Sequence, residues 1–226
     1  MLTTVELFDL SHTVVGDFLQ KCPFPWNVLD RIGAWIAAVG ETLPTAEYDR
    51  CGERIWIAKS ARVAANVVIS GPCIIGHETE VRTGAFLRGN VLVGDFAVIG
   101  NSTEVKNAIL FDKVQVPHFN YVGDSILGFA AHFGAGAVTS NVKCDKSPVS
   151  IRCGAESSPT GRKKVGAMVG DRAEVGCHTV LCPGCVLGRD SIIYPLSAVR
   201  GTVPPRHIYK SAEKIVPRRD FAQNNG

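Results

Sequence analysis

The chain has 226 residues, 46% hydrophobic and 20% charged, with a formal net charge of +3. This is a globular composition. The charge is too small and too dispersed for a nucleic-acid surface, and no apolar run is long enough to span a bilayer. Residues 1–9 lack a basic region followed by an apolar core, so a cytoplasmic protein is expected, with neither membrane nor nucleic-acid partners. Its eight cysteines are expected as thiols.

Residues 1–52 are expected to form an amino-terminal helical cap. Pro25-Trp26 opens an amphipathic segment with Leu29, Ile32, Ile36 and Val39 at helical spacing, and Gly40 and Pro44 supply stop signals. Such a helix is expected to pack on one end of the next domain and cover open strand edges.

From residue 53 the pattern changes. Ile57, Val63, Ile69, Ile75, Val81, Leu87, Val93, Ile99, Val105 and Phe111 recur in steps of six, and Val169, Val175, Leu181, Leu187, Ile193 and Val199 resume the count. The position four residues later is often small, as at Ala61, Cys73, Ala85, Ala97, Ala173 and Cys185. A sustained period of six fits neither a helix nor an ordinary strand. It fits a three-sided parallel β-helix, with one inward aliphatic per side and a small residue at each corner. This domain is expected over 53–203, interrupted by a polar loop at 140–164 that leaves the prism, with a short hairpin at its base. Residues 204–226 read as a basic tail, partly helical or loose. Cys182-Pro-Gly-Cys185 has the spacing of half a zinc site, but no second pair follows, so Cys185 is read as a corner filler and no metal is expected.

The count slips near Pro117-His118-Phe119-Asn120-Tyr121, where Val122 and Leu127 arrive early and Phe133 restores six. Breaks in a strict repeat re-aim side chains. An imidazole there, His118, is suited to take a proton from an amine or hydroxyl nucleophile. Arg82 and Lys106 each follow a wall residue on neighbouring faces and read either as solvated charge or as a phosphate clamp.

Three stretches follow one another in order: Asn101-Ser-Thr-Glu-Val-Lys106, His118-Phe-Asn-Tyr121-Val-Gly-Asp124 and Phe133-Gly-Ala-Gly-Ala-Val-Thr-Ser-Asn141. They resemble the carboxy-terminal domain of glucosamine-1-phosphate acetyltransferase/N-acetylglucosamine-1-phosphate uridylyltransferase. They are still more similar to its archaeal sugar-1-phosphate nucleotidylyltransferase relatives, which share the loop end Gly161-Arg-Lys-Lys-Val-Gly-Ala-Met-Val-Gly170. The resemblance implies a left-handed hexapeptide β-helix that transfers acetyl from acetyl-CoA to an amino-sugar 1-phosphate, glucosamine or galactosamine 1-phosphate. It implies a homotrimer with the coenzyme A site between prisms. His118 matches the general base, Tyr121 and Asn141 line the sugar and acetyl pocket, and Arg82 and Lys106 hold the phosphate. The family's loop lysine falls at Ser147, with Lys146 beside it, and His132 replaces an asparagine common in the bacterial enzymes. Ala135 and Cys177 match positions along the acetyl-CoA arm, and Lys163 and Lys164 stand as partners for its phosphates or as solvated loop charge. No nucleotide-binding loop precedes the repeat, so only the acetyl-transfer half is expected. The other reading left open is a non-catalytic scaffold or partner subunit of a separate nucleotidylyltransferase.

Overall fold

A computed structural model describes residues 1–219. The sixth-residue aliphatics stack in three columns. Ile57, Ile75 and Val93 are in parallel register, as are Val63, Val81 and Ile99, and Ile69, Leu87 and Val105. One coil of this block therefore takes 18 residues, from 57 to 75 to 93. The fold is a left-handed parallel β-helix, against the usual right-handed crossover. Many corners are turned by a residue in the left-handed backbone region; Phe96, Lys113, Ala130, Arg172 and Asp190 mark one column of them, with φ from 54° to 61°.

The register break differs from the expected one. Leu110, not Phe111, continues the column of Val93, and Leu127 and Val169 follow it. The coil has shortened to 17 residues, from 93 to 110 to 127. The lost residue comes from the corner between the third and first sides. Gly89 and Asn90 turn it in one coil, while Asn107 alone turns it in the next and Asp124 alone in the one after. The strands Glu104–Leu110 and Tyr121–Leu127 thus run around this corner without a break and join two sides of the prism into one sheet. Sequence could not separate Leu110 from Phe111, because both are fully buried: Leu110 in the wall and Phe111 against Phe8, ring centroids 5.1 Å apart. His118 lies between the two shortened steps, in a stretch of ordinary spacing.

The amino-terminal helices do not cap an end. Helices α1 (Thr4–Leu7), α2 (Gly16–Gln20) and α3 (Ile32–Gly40) belong to a cover laid along the first side of the prism. The outward residues of that side, Trp56, Ile74, Leu92, Ile109, Ile126, Met168 and Val186, are apolar and buried. Each such side chain contributes about 1.5–3 kcal/mol on burial, so covering the side outweighs covering an edge. Gly40 lets α3 approach closely: an added Cβ would stand 2.3 Å from the Trp56 ring. The edges are closed instead by antiparallel strands, Tyr48–Gly52 on Ile55–Ala58 at the first coil, and Lys214–Pro217 on His207–Ser211 at the last. The expected helical or loose tail is therefore a hairpin over 207–217; residues 220–226 of that expectation lie outside the described residues.

The loop leaves after Asn141 and returns at Val165, whose N–H donates to the Asn141 carbonyl. It holds a hairpin, Ser150–Cys153 with Glu156–Pro159. Rather than reaching away, this hairpin folds back on the prism. Val149 and Ile151 are buried, the Thr202 hydroxyl donates to the Arg152 carbonyl at 2.7 Å, and Arg162 pairs with Asp30 at 2.8 Å.

Candidate functional site

Two neighbouring features of the prism carry the site. The first is the corner between the second and third sides. Asn101 and His118 are paired there, and the register of the next strands places Ala135 and then Cys177 on the same column. The His178 N–H donates to the Ala135 carbonyl, which fixes that stacking, and the His178 ring leans over Gly136. His118 and Phe119 are both exposed, with Phe119 62% accessible, and the turn is made by Phe119 at φ 51°. Among the described residues the His118 ring has no partner.

The backbone beneath that ring is fixed by Asn120. Its buried side chain accepts from the His118 N–H at 3.0 Å and donates to the carbonyls of Gly134 and Ala137 at 2.9 and 3.0 Å. Asn120→Leu removes the partners of the His118 N–H and the Ala137 carbonyl and one of the two donors to the Gly134 carbonyl, which also accepts from the Ala137 N–H, and is expected to lower stability by about 2–3 kcal/mol. A urea midpoint lowered at unchanged slope checks this, and an unchanged midpoint refutes it.

The second feature is the polar face that opens three residues later. Tyr121 starts the third side, and its ring lies across Gly123, where an added Cβ would meet the hydroxyl at 2.5 Å. Asn141 Nδ2 is 3.2 Å from that hydroxyl and donates to Asp124 Oδ2 at 2.5 Å. Asn107 Nδ2 donates to Asp124 Oδ1 at 2.8 Å, and Lys106 Nζ is 3.5 Å from Oδ2. The Asp124 side chain is only 7% exposed, so the tightened corner buries a carboxylate held by one cation and two amides. Burial, opposed by the Asn141 contact, raises the Tyr121 phenol above its ordinary range and keeps it protonated at neutral pH.

Of the residues singled out from sequence, the fold brings Lys106, Tyr121 and Asn141 into one network, and His118, Ala135 and Cys177 onto the adjacent corner. Arg82 stands elsewhere. It lies on the second side, paired with Glu80 at 3.0 Å, beside a groove that Thr83 and Asn101 also line. Arg88 shares the Lys106 column instead, one coil below, and faces Glu104. The missed signal was the coil length itself, since Arg88 precedes Lys106 by one full turn of 18 residues. Asp124 and Asn107 were missed because the tightened corner that joins them has no period to reveal it. Lys146 is exposed on a loop turn at φ 60°, while Ser147 accepts from Lys143 and is bonded to Asp145. Lys163 and Lys164 are exposed where the loop rejoins the prism at the Asn141 corner, one side away from Ala135 and Cys177. His132 is on the second side and bonds Glu174 at 2.9 Å, which raises the imidazole above its usual range. It takes no part in the Tyr121 network.

The chain is similar to several known proteins. Residues 69–153 match the model of the GMPPB C-terminal domain. The chain is 28% identical over 204 residues to the bifunctional sugar-1-phosphate nucleotidylyltransferase/acetyltransferase of Sulfurisphaera tokodaii, covering 82% of this chain and 47% of that one. It is 30% identical over 174 residues to the bifunctional protein GlmU of Methanococcus aeolicus, covering 69% of this chain and 42% of that one. The chain thus spans less than half the length of either relative. Among solved structures, a mutant GDP-perosamine N-acetyltransferase from Caulobacter crescentus in complex with coenzyme A and GDP-perosamine aligns with 74% of this chain and 57% of its own, at 18% identity and a TM-score of 0.33.

Proposed function

We propose that this chain is an acetyl-CoA-dependent N-acetyltransferase acting on an amino-sugar 1-phosphate, glucosamine or galactosamine 1-phosphate. The observation that carries it is the juxtaposition of an imidazole without a partner among the described residues, His118, with the polar network of Lys106, Tyr121, Asn141 and Asp124. The S. tokodaii and M. aeolicus relatives bring the sugar-phosphate and acetyl chemistry by name.

In this reading the sugar phosphate lies over the Arg88–Lys106 pair, and the 2-amino nitrogen points toward the His118 corner. Tyr121 and Asn141 orient the sugar through its hydroxyls. The amine attacks the thioester carbonyl, the C–N bond forms, the C–S bond breaks, and coenzyme A leaves as the thiol. His118 takes the proton lost by the amine and returns it to the departing sulfur. Among the described residues the Ala135 N–H makes no backbone hydrogen bond; in this reading it donates to the oxyanion from one coil beyond His118. The coenzyme arm then runs along Ala135 and Cys177.

A second copy completes this groove. Phe119, Tyr194, Val180 and Leu196 are exposed apolar side chains beside the same corner, Leu196 being 81% accessible. A homotrimer closed about a three-fold axis covers them and makes three sites. Light scattering at micromolar concentration reads the assembly, and a monomer contradicts it.

Arg88→Ala is expected to raise KM for the sugar phosphate about 10–100-fold, the loss of one charge-assisted contact, with kcat nearly constant. An unchanged KM removes Arg88 from the phosphate site. The reading of this prism as a non-catalytic partner subunit predicts no stabilisation by acetyl-CoA in a thermal melt, whereas the enzyme is stabilised.

A further inference from the structure

The hairpin that folds back from the loop encloses space against the third side, well away from His118. Two adjoining cavities of about 160 and 380 Å³ lie between the loop and the prism and share Lys143, Cys182, Pro183 and Arg200 along their walls. Arg152 and Ser150 of the hairpin line the smaller one, and Asp145 lines the larger. Three cations therefore face this space against one carboxylate. That carboxylate is already engaged: Asp145 contacts Lys143 at 3.6 Å and is bonded to Ser147. Among the described residues Arg152 and Arg200 make no ion pair.

The backbone of both arginines is fixed, while their side chains are exposed. The Arg152 carbonyl is fixed by the Thr202 hydroxyl, and Arg200 directly follows the strand Ala198–Val199, which pairs with Val180–Leu181. The hairpin and the prism each bring a guanidinium to one small cavity, where no acid offsets them. Planar guanidinium forks match the oxygens of a phosphate, and two converging forks reward a dianion that bridges them.

We propose that this cavity binds a phosphate group through Arg152, Arg200 and Lys143, and that the bound anion ties the loop hairpin to the β-helix. The site is separate from the Arg88–Lys106 pair. Lys106, Gly123, Ser140, Cys182 and Arg200 succeed one another in a single column, so Arg200 stands four rungs above Lys106, roughly 19 Å at the usual strand spacing. It does not depend on acetyl transfer taking place.

The test is a thermal melt of the full chain titrated with inorganic phosphate, at ionic strength held constant with sodium chloride so that screening is matched. An Arg88→Ala background weakens the other phosphate site, and the comparison of variant with parent is made within that background. Phosphate is expected to raise the melting temperature saturably, and Arg152→Ala/Arg200→Ala to weaken the half-saturating concentration at least about tenfold, the loss expected for charge-assisted bonds. A hexose 1-phosphate titrated in parallel tells the source: a shift with both ligands assigns free phosphate or any small ester, and a shift with the ester alone assigns a sugar phosphate. Equal shifts in the double variant and its parent, or no shift with either ligand, overturn the proposal. If the double variant does not fold, Arg200→Ala alone carries the same test, since its side chain is exposed beyond the strand end.

Discussion

His118→Ala is expected to lower kcat for acetyl transfer about 10²–10⁴-fold, the range that a positioned general base supplies, while KM for acetyl-CoA and for the sugar phosphate stays near that of the parent. The split follows from the structure. The imidazole has no partner among the described residues, and the corner is locked by the His118 N–H and Asn120, which any side chain at 118 preserves. The variant should therefore melt within about 0.5 kcal/mol of the parent, as an exposed substitution does. A large kinetic loss with unchanged stability supports a direct role in proton transfer. A variant of full activity removes His118 from the chemistry, and one that is equally slow but unfolded says that the corner, not the ring, was lost.

Asp124→Ala carries the largest expected effect on stability, about 3–4 kcal/mol, because it leaves Lys106 and two amide donors facing a partly buried gap. The carboxylate is nearly inaccessible and holds Asn107, Asn141 and Lys106 together. Replacing both partners of the ion pair distinguishes the cause. Asp124→Leu with Lys106→Met should recover a good part of the loss, since removing both charges avoids the penalty of an unpaired one. Chemical denaturation of Asp124→Leu, Lys106→Met and the double variant closes the cycle that measures the coupling. If the single variant is as stable as the parent, the tightened corner is held by backbone alone and the polar network is incidental to the fold. Acetyl transfer should fall in the single variant as well, through displaced Asn141 and Tyr121.

The fold was legible because a prism wall needs one aliphatic per side, and the chain supplies one every six residues. Valine, leucine and isoleucine at those positions fix the coil without any knowledge of its neighbours. What sequence hid was hidden for physical reasons. Leu110 and Phe111 are adjacent and equally apolar, so the sequence pattern puts the lost residue near Pro117, whereas it belongs at the corner of Asn107. That moved the irregularity away from His118 and onto the Asp124 network. The cover along the first side did leave a trace, in Trp56, Ile74 and Leu92 each just before a wall residue, but that trace is readable only when the outward face is scored as closely as the inward one. Of the polar network, Lys106, Tyr121 and Asn141 are legible from their motif, whereas the alignment of Arg88 with Lys106 is not. Only the coil length separates Arg88 from Arg82, since each directly follows a wall residue, and Arg88 alone stands one coil from Lys106. The loop hairpin was foreseen at the base of a polar insertion, but its docking depends on Val149, Ile151 and the Thr202 hydroxyl, contacts that span distant parts of the chain.

The most direct measurement is incubation of the purified chain with acetyl-CoA and either glucosamine 1-phosphate or galactosamine 1-phosphate, following release of free coenzyme A thiol together with the mass of the sugar. The account predicts stoichiometric thiol release with one acetyl group gained on the amine of at least one of the two sugars, and loss of both signals in His118→Ala. Thiol release without sugar acetylation, or no turnover on either amine, contradicts it.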